Sequence, residues 1–192
     1  MQQTEREGQE QRACGIVKRG TAKLPARVDN EMELEFDSRS CNEGFARVAV
    51  ASFMTQLNPT LEEVADVKTA VSEAVTNAII HGYEGNVRKI RVRCRICSQV
   101  LFVEVHDDGR GISDVALAME PLYTTKAECD RAGMGFAFME AFMDTLEVES
   151  APGCGTTVRM TKRISREGRG YGEQETDTKR EYPSSGENDG ER

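Results

Sequence analysis

The sequence predicts an α+β domain in which helices lie on one face of a mixed, mostly antiparallel sheet. Two kinds of apolar pattern predict it: strict alternation in some segments and three- and four-residue spacing in others. Their order along the chain is β-α-α-β-β-loop-α-β-β, which suits a two-layer sandwich and not a doubly wound parallel fold.

The first strand is Met32-Glu33-Leu34-Glu35-Phe36, where every second residue is apolar. A helix follows, with Ser38 or Ser40 as its expected cap and Phe45, Val48, Ala49, Phe53 and Leu57 as its expected apolar stripe. Asn58-Pro59 ends it. Thr60 with Glu63 three residues on is a capping-box signature for a second helix, lined by Leu61, Val64, Val67, Val71, Val75, Ala78 and Ile79 and closed by His81-Gly82. Ile90, Val92, Cys94 and Ile96 then alternate with Lys89, Arg91, Arg93 and Arg95, a strand with one apolar and one basic face. Ser98-Gln99 turns it into a strand over 100–105. Beyond Ser113 a short helical piece precedes Pro121-Leu122-Tyr123-Thr124-Thr125-Lys126, which reads as a mobile loop. A helix from Gly135 to Asp144 and a hairpin of strands over 145–150 and 156–163 complete the unit.

The 192 residues accommodate one domain with tails. Residues 1–31 and 165–192 are rich in polar and charged residues, without a sustained apolar period, so they are expected to be disordered extensions of a folded unit over 32–164. No apolar run approaches the ~18 residues of a membrane span, and the N-terminus lacks a signal-peptide pattern. The expected location is therefore the cytoplasm. A net charge of −8 argues against general adhesion to nucleic acid or membranes. The basic strand face lacks the interleaved aromatics of single-strand binders and reads as a solvated or protein-facing surface. Cys94 and Cys97 have the spacing of a metal pair, but on a strand they point to opposite faces and no second pair accompanies them. The six cysteines read as reduced thiols.

Three motifs carry chemistry. Glu73 and Asn77 are one helical turn apart, in a setting apolar on nearly every side. A carboxylate there suits proton abstraction, and an amide oxygen suits Mg²⁺. Asp107-Asp108-Gly109-Arg110-Gly111 follows a strand directly, placing a hydrogen-bond acceptor beside backbone that bends sharply. Arg131-Ala132-Gly133-Met134-Gly135 opens a helix whose amides favour phosphate. Singly, each also fits ordinary use as a polar stripe, a surface turn or a helix start. No Gly-x-x-x-x-Gly-Lys-Ser/Thr loop is present.

Taken in order, with Gly155-Thr156-Thr157 on the last strand, these motifs resemble the GHKL superfamily of gyrase-type and histidine-kinase-type ATP-binding domains, whose architecture is the Bergerat sandwich. Within it the chain is similar to the small stand-alone serine kinases that act as anti-sigma factors. The phrases from Val71 to Tyr83, Pro121 to Lys126 and Gly133 to Phe136 resemble the sporulation members. The resemblance covers about residues 32–163.

It implies ATP and Mg²⁺ as cofactors, Glu73 as general base and Asn77 as Mg²⁺ ligand. Asp107 would read adenine, supported by Thr156 or Thr157. Gly109, Gly111, Gly133, Met134 and Gly135 would shape the pocket and lid. Thr124 and Thr125 would also bind the cofactor, and Lys126 and Arg131 would contact its phosphates. It further implies a homodimer that inhibits a sporulation sigma factor and phosphorylates an anti-anti-sigma factor on serine. Phe45 and Arg47 are candidate partner contacts. The alternatives are a nucleotide-gated binding module without significant catalysis and the equivalent kinase of another stress-response switch. A histidine-kinase fragment would need a phosphoacceptor histidine on a dimerisation helix, which neither His81 nor His106 provides. Two features depart from the pattern: the loop over 83–88 is short, and 31 residues precede Met32, either as a lineage-specific tail or because translation starts at Met32.

Overall fold

The computed structural model describes residues 15–20, 27–121 and 133–165. Its strands are β1 (Gly15–Arg19), β2 (Asn30–Asp37), β3 (Lys89–Cys97), β4 (Val100–Asp107), β5 (Thr145–Ser150) and β6 (Thr156–Arg163). The helices are α1 (Ser40–Met54), α2 (Leu61–Asn77), a single turn α3 (Val115–Ala118) and α4 (Gly135–Phe142). The strands form one sheet in the order β1-β5-β6-β4-β3-β2. Each adjacent pair is antiparallel, so the expected mixed sheet is antiparallel throughout its described strands.

Alternation sets the two faces of this sheet. Ile90, Val92 and Cys94 on β3, Leu101, Val103 and Val105 on β4, and Val158 and Met160 on β6 are buried against the helices. Helix α2 covers them with Val67, Ala70, Val71, Ala74 and Val75. It begins at the expected capping box: Thr60 accepts from the Glu63 amide and Glu63 accepts from the Thr60 amide. The second Glu63 oxygen accepts from Ser165 N at 2.9 Å, tying the end of the sheet to the start of this helix.

The opposite face is a carpet of ion pairs. Lys89 meets Asp37 at 2.9 Å, Arg91 meets Asp108 at 3.0 Å, Arg95 meets Glu31 at 3.2 Å, and Arg93 pairs with Glu33. Arg159 reaches Glu104, Glu147 and Glu149 from one side chain. The basic row on β3 therefore has carboxylate neighbours within its own sheet. Burial pushes the Cys94 thiol up to about 12, as suits an unreactive packing residue.

Four expectations are corrected. Gly15–Arg19 forms a strand inside the segment expected to lack order, and β2 starts at Asn30. Neither serine caps α1: its N-cap is Arg39, and Ser38 Oγ instead donates to Asn86 O and accepts from Arg88 N. The α1 stripe is Ala46, Val50 and Met54, while Phe45 and Val48 are exposed, because positions 46, 50 and 54 lie four apart on the face turned to the core. Finally, α4 ends at Phe142 and not at Asp144.

Candidate functional site

The end of α2 is the structural origin of the site. After Asn77 the helix widens into a π turn over Ala78–Gly82, closed by the Tyr83 amide bonding to Ala78 O at 3.1 Å. The widened turn brings Ala78, His81 and Gly82 onto one wall of a cavity of ≈ 510 Å³. That volume lies within the ~300–1,000 Å³ usual for small-molecule sites. Val105 and Val158 on the sheet, with Ile112 and Phe136, make much of the wall apolar. Asp107, Arg110 and Asp114 supply charge, and Asn77, Thr156, Gly111, Gly133 and Gly135 are also part of the lining.

Asp107 sits at the end of β4, 5 % exposed. Its Oδ1 accepts from the Gly109 amide at 2.9 Å. Burial pushes its carboxyl up to about 6, against the opposing pull of that hydrogen bond. The Thr156 backbone also hydrogen-bonds this carboxyl, which lines the cavity. Backbone encloses this carboxylate so closely that glycine is required around it. A Cβ on Gly82 would lie 2.8 Å from Asp107 Oδ1, and one on Gly109 would lie 2.4 Å from Gly82 O. Gly155, at φ +74°, would place a Cβ 1.9 Å from Asp107 O.

The supporting bonds come from residues that sequence reasoning missed. Tyr83 Oη donates to Lys89 O and accepts from Asp108 N at 2.8 Å, holding the turn after β4. Ser150 Oγ donates to Gly155 O at 2.7 Å and accepts from Ile112 N at 2.9 Å, so one hydroxyl joins two cavity loops. Gly82 was legible only as a helix stop; its packing against Asp107 needs the fold. Asp108 points outward, its carboxyl held below the usual range by the His106 hydrogen bond and by Arg91.

Glu73 and Asn77 converge at the opposite end of the cavity. A Cβ on Gly135 would stand 3.2 Å from Glu73 Oε2, 3.3 Å from Asn77 Nδ2 and 3.4 Å from Asn77 Oδ1. The first turn of α4 thus packs its only side-chain-free residue against both groups. Glu73 is 6 % exposed. Gly133, at φ +65°, adopts the left-handed turn that leads into α4, and Met134 is the N-cap.

Of the residues named from sequence, Asn77, Asp107, Gly111, Gly133, Gly135 and Thr156 line one cavity, with Gly109 and Glu73 immediately behind its wall. Thr156 and Thr157 are separated by strand alternation. Thr156 faces the cavity, whereas Thr157 Oγ1 bonds His106 Nδ1 at 2.8 Å on the ion-pair face, so of the two expected threonines the structure brings only Thr156 to the cavity. Thr124, Thr125, Lys126 and Arg131 lie outside the described residues.

The chain matches the family model described as histidine kinase-like ATPase domain over residues 38–162. It is similar to anti-sigma F factors of several bacteria. With that of Caldanaerobacter subterraneus it shares 59 % identity over 138 residues, 72 % of this chain and 96 % of the relative. With that of Clostridium botulinum the identity is 54 % over 71 % of this chain and 96 % of the relative. With that of Bacillus subtilis it is 52 % over 72 % and 96 %.

Proposed function

The chain belongs to the anti-sigma F factor family and carries its histidine kinase-like ATPase domain, and from that premise we propose a protein-serine kinase that uses ATP and Mg²⁺. In this reading it binds and inhibits a sporulation sigma factor and phosphorylates the anti-anti-sigma antagonist of that factor on serine. It acts as a cytoplasmic homodimer; no described helix is long and apolar enough to cross a membrane. The observation that carries the enzymatic part is the cavity itself, which has Asp107 at one end and the Glu73–Asn77 pair against Gly135 at the other.

The residues fit both cofactors. Asp107 and Thr156 offer a polar floor for the amino edge of adenine, between Ala78, Val105, Ile112 and Val158, which suit the faces of a flat ring. Mg²⁺ keeps several waters and takes most of its other ligands from phosphate, so a single neutral amide such as Asn77, on the cavity wall, matches its needs. When bound, the ion would supply charge neutralisation at the phosphates. Glu73 would accept the proton of the substrate serine as its Oγ bonds to the γ-phosphorus and the bond to ADP breaks. Burial of Glu73 behind Gly135 keeps water from that carboxylate.

The same burial favours one second reading, a nucleotide-gated sigma-binding module without significant catalysis, because Glu73 is set behind the wall and not on it. Labelled ATP, Mg²⁺ and an anti-anti-sigma protein separate the two. The kinase reading expects transfer to serine, reduced about 10²- to 10⁴-fold in Glu73→Gln with ATP binding retained. Absence of transfer by the wild-type protein would overturn it in favour of the binder.

A further inference from the structure

Strand β1 precedes the residues that match the family model, yet it is built into the sheet. It pairs with β5 in a defined register, with Gly15 opposite Ser150, Val17 opposite Val148 and Arg19 opposite Leu146. Val17 packs against the core. Both ends are fitted by glycine. A Cβ on Gly15 would stand 3.2 Å from Val115 Cγ2, and Gly20, at φ +86°, would place one 2.8 Å from Thr145 Cγ2. Lys18 meets Glu147 at 2.8 Å. This docking is specified by shape at two points, unlike a casual edge contact.

Its position gives it a task. Val115 belongs to α3, whose Leu117 and Ala118, with Asp114 at its N-cap, line the cavity. Ser150, opposite Gly15, holds the Ile112 amide and the Gly155 carbonyl. The start of β1 therefore lies against Val115 of α3, next to residues that line the cavity. The turn α3 has four residues and cannot be stable alone, so its placement depends on what it packs against. We propose that β1 is a positioning element of the cavity, a strap that holds the α3 wall in its ligand-competent place. The proposal rests on the nucleotide reading above.

The test uses full-length protein with Val17→Asp, which puts a carboxylate at a core-facing position, and Lys18→Glu, which opposes Glu147 from an exposed position and so spares the core. Val17→Ile is the conservative control. Binding of a fluorescent ATP analogue is titrated with Mg²⁺, and amide hydrogen exchange is followed at β1, β5 and the Ala118 and Met119 amides, which bond within α3. Release of the strap is expected to speed exchange in β1 and α3 together. If the wall is then competent about a tenth of the time, the apparent Kd rises about tenfold, while Val17→Ile binds like wild type. Exchange that rises in β1 with α3 protection and affinity unchanged would overturn the proposal. Should wild-type protein bind no nucleotide, the nucleotide reading fails, and α3 exchange alone decides whether β1 positions the wall.

Discussion

The two ends of the cavity are built on opposite principles. Around Asp107, main chain packs closely on the carboxylate and on neighbouring main chain: Gly82, Gly109 and Gly155 leave no room for a methyl group, and Tyr83 and Ser150 bond backbone groups of the surrounding loops. Around Glu73 and Asn77, by contrast, side chains from α2 face Gly135 in the first turn of α4, where an added Cβ would stand 3.2–3.4 Å from them. The Asp107 end is thus closely packed, and the Glu73–Asn77 end is a junction between two helices.

That contrast can be broken by substitution. The largest effect is expected at Gly155, where alanine would need both a positive φ and a Cβ 1.9 Å from a backbone oxygen. A loss of about 3 kcal/mol or more in unfolding free energy is expected for Gly155→Ala, read from the denaturant midpoint. A near-neutral result would show that the packing around Asp107 yields.

Asp107→Asn comes next and should move two quantities in opposite directions. The folded carboxyl titrates near 6, above its ordinary 3.8, so the apo protein gains from protonation fully below 3.8 and loses that gain as pH rises through about 6. At pH 7 the buried charge costs roughly 3 kcal/mol, which the amide would recover. Asp107→Asn is therefore expected to be more stable than wild type at pH 7 and similar at pH 3, while binding ATP at least about tenfold more weakly. Denaturation at the two pH values and nucleotide titration check both halves.

The smallest effect is expected at Gly135→Ala. Its Cβ would crowd Glu73 and Asn77 by tenths of an ångström, within the reach of side-chain adjustment. Turnover should fall roughly tenfold through misplacement, with KM for ATP and thermal stability near wild type, since alanine also suits a helix start. An unchanged turnover would mean that the junction is looser than its contacts suggest.

Much of this was legible in sequence where a local pattern and the tertiary fold ask for the same thing. The alternation on β3, the capping box of α2 and the bounds of β5 and β6 are of this kind. So was the clustering of Asn77, Asp107 and the glycines, because their chemistry is ordered along the chain. Failures came where packing decides between local equivalents. On α1 both Phe45 and Ala46 sit at helical spacing, and only the packing of the helix on the core decides that Ala46 is the buried one. Thr156 and Thr157 are chemically the same, and only the register with Asp107 and His106 assigns their faces. The strand β1 is five residues in a polar stretch, with order supplied by β5 and not by its own propensity.

The π turn between Asn77 and Tyr83 gives the cavity a gearing. Deleting one residue from Ala78–Gly82 would restore ordinary helix and rotate everything beyond it by about 100°. Gly82 would swing off Asp107 and Tyr83 off the amide of Asp108, although every named side chain was still present. The number of residues in that turn is accordingly a specification in its own right. A chain of the same composition, one residue shorter there, would have the parts of the site out of phase with one another.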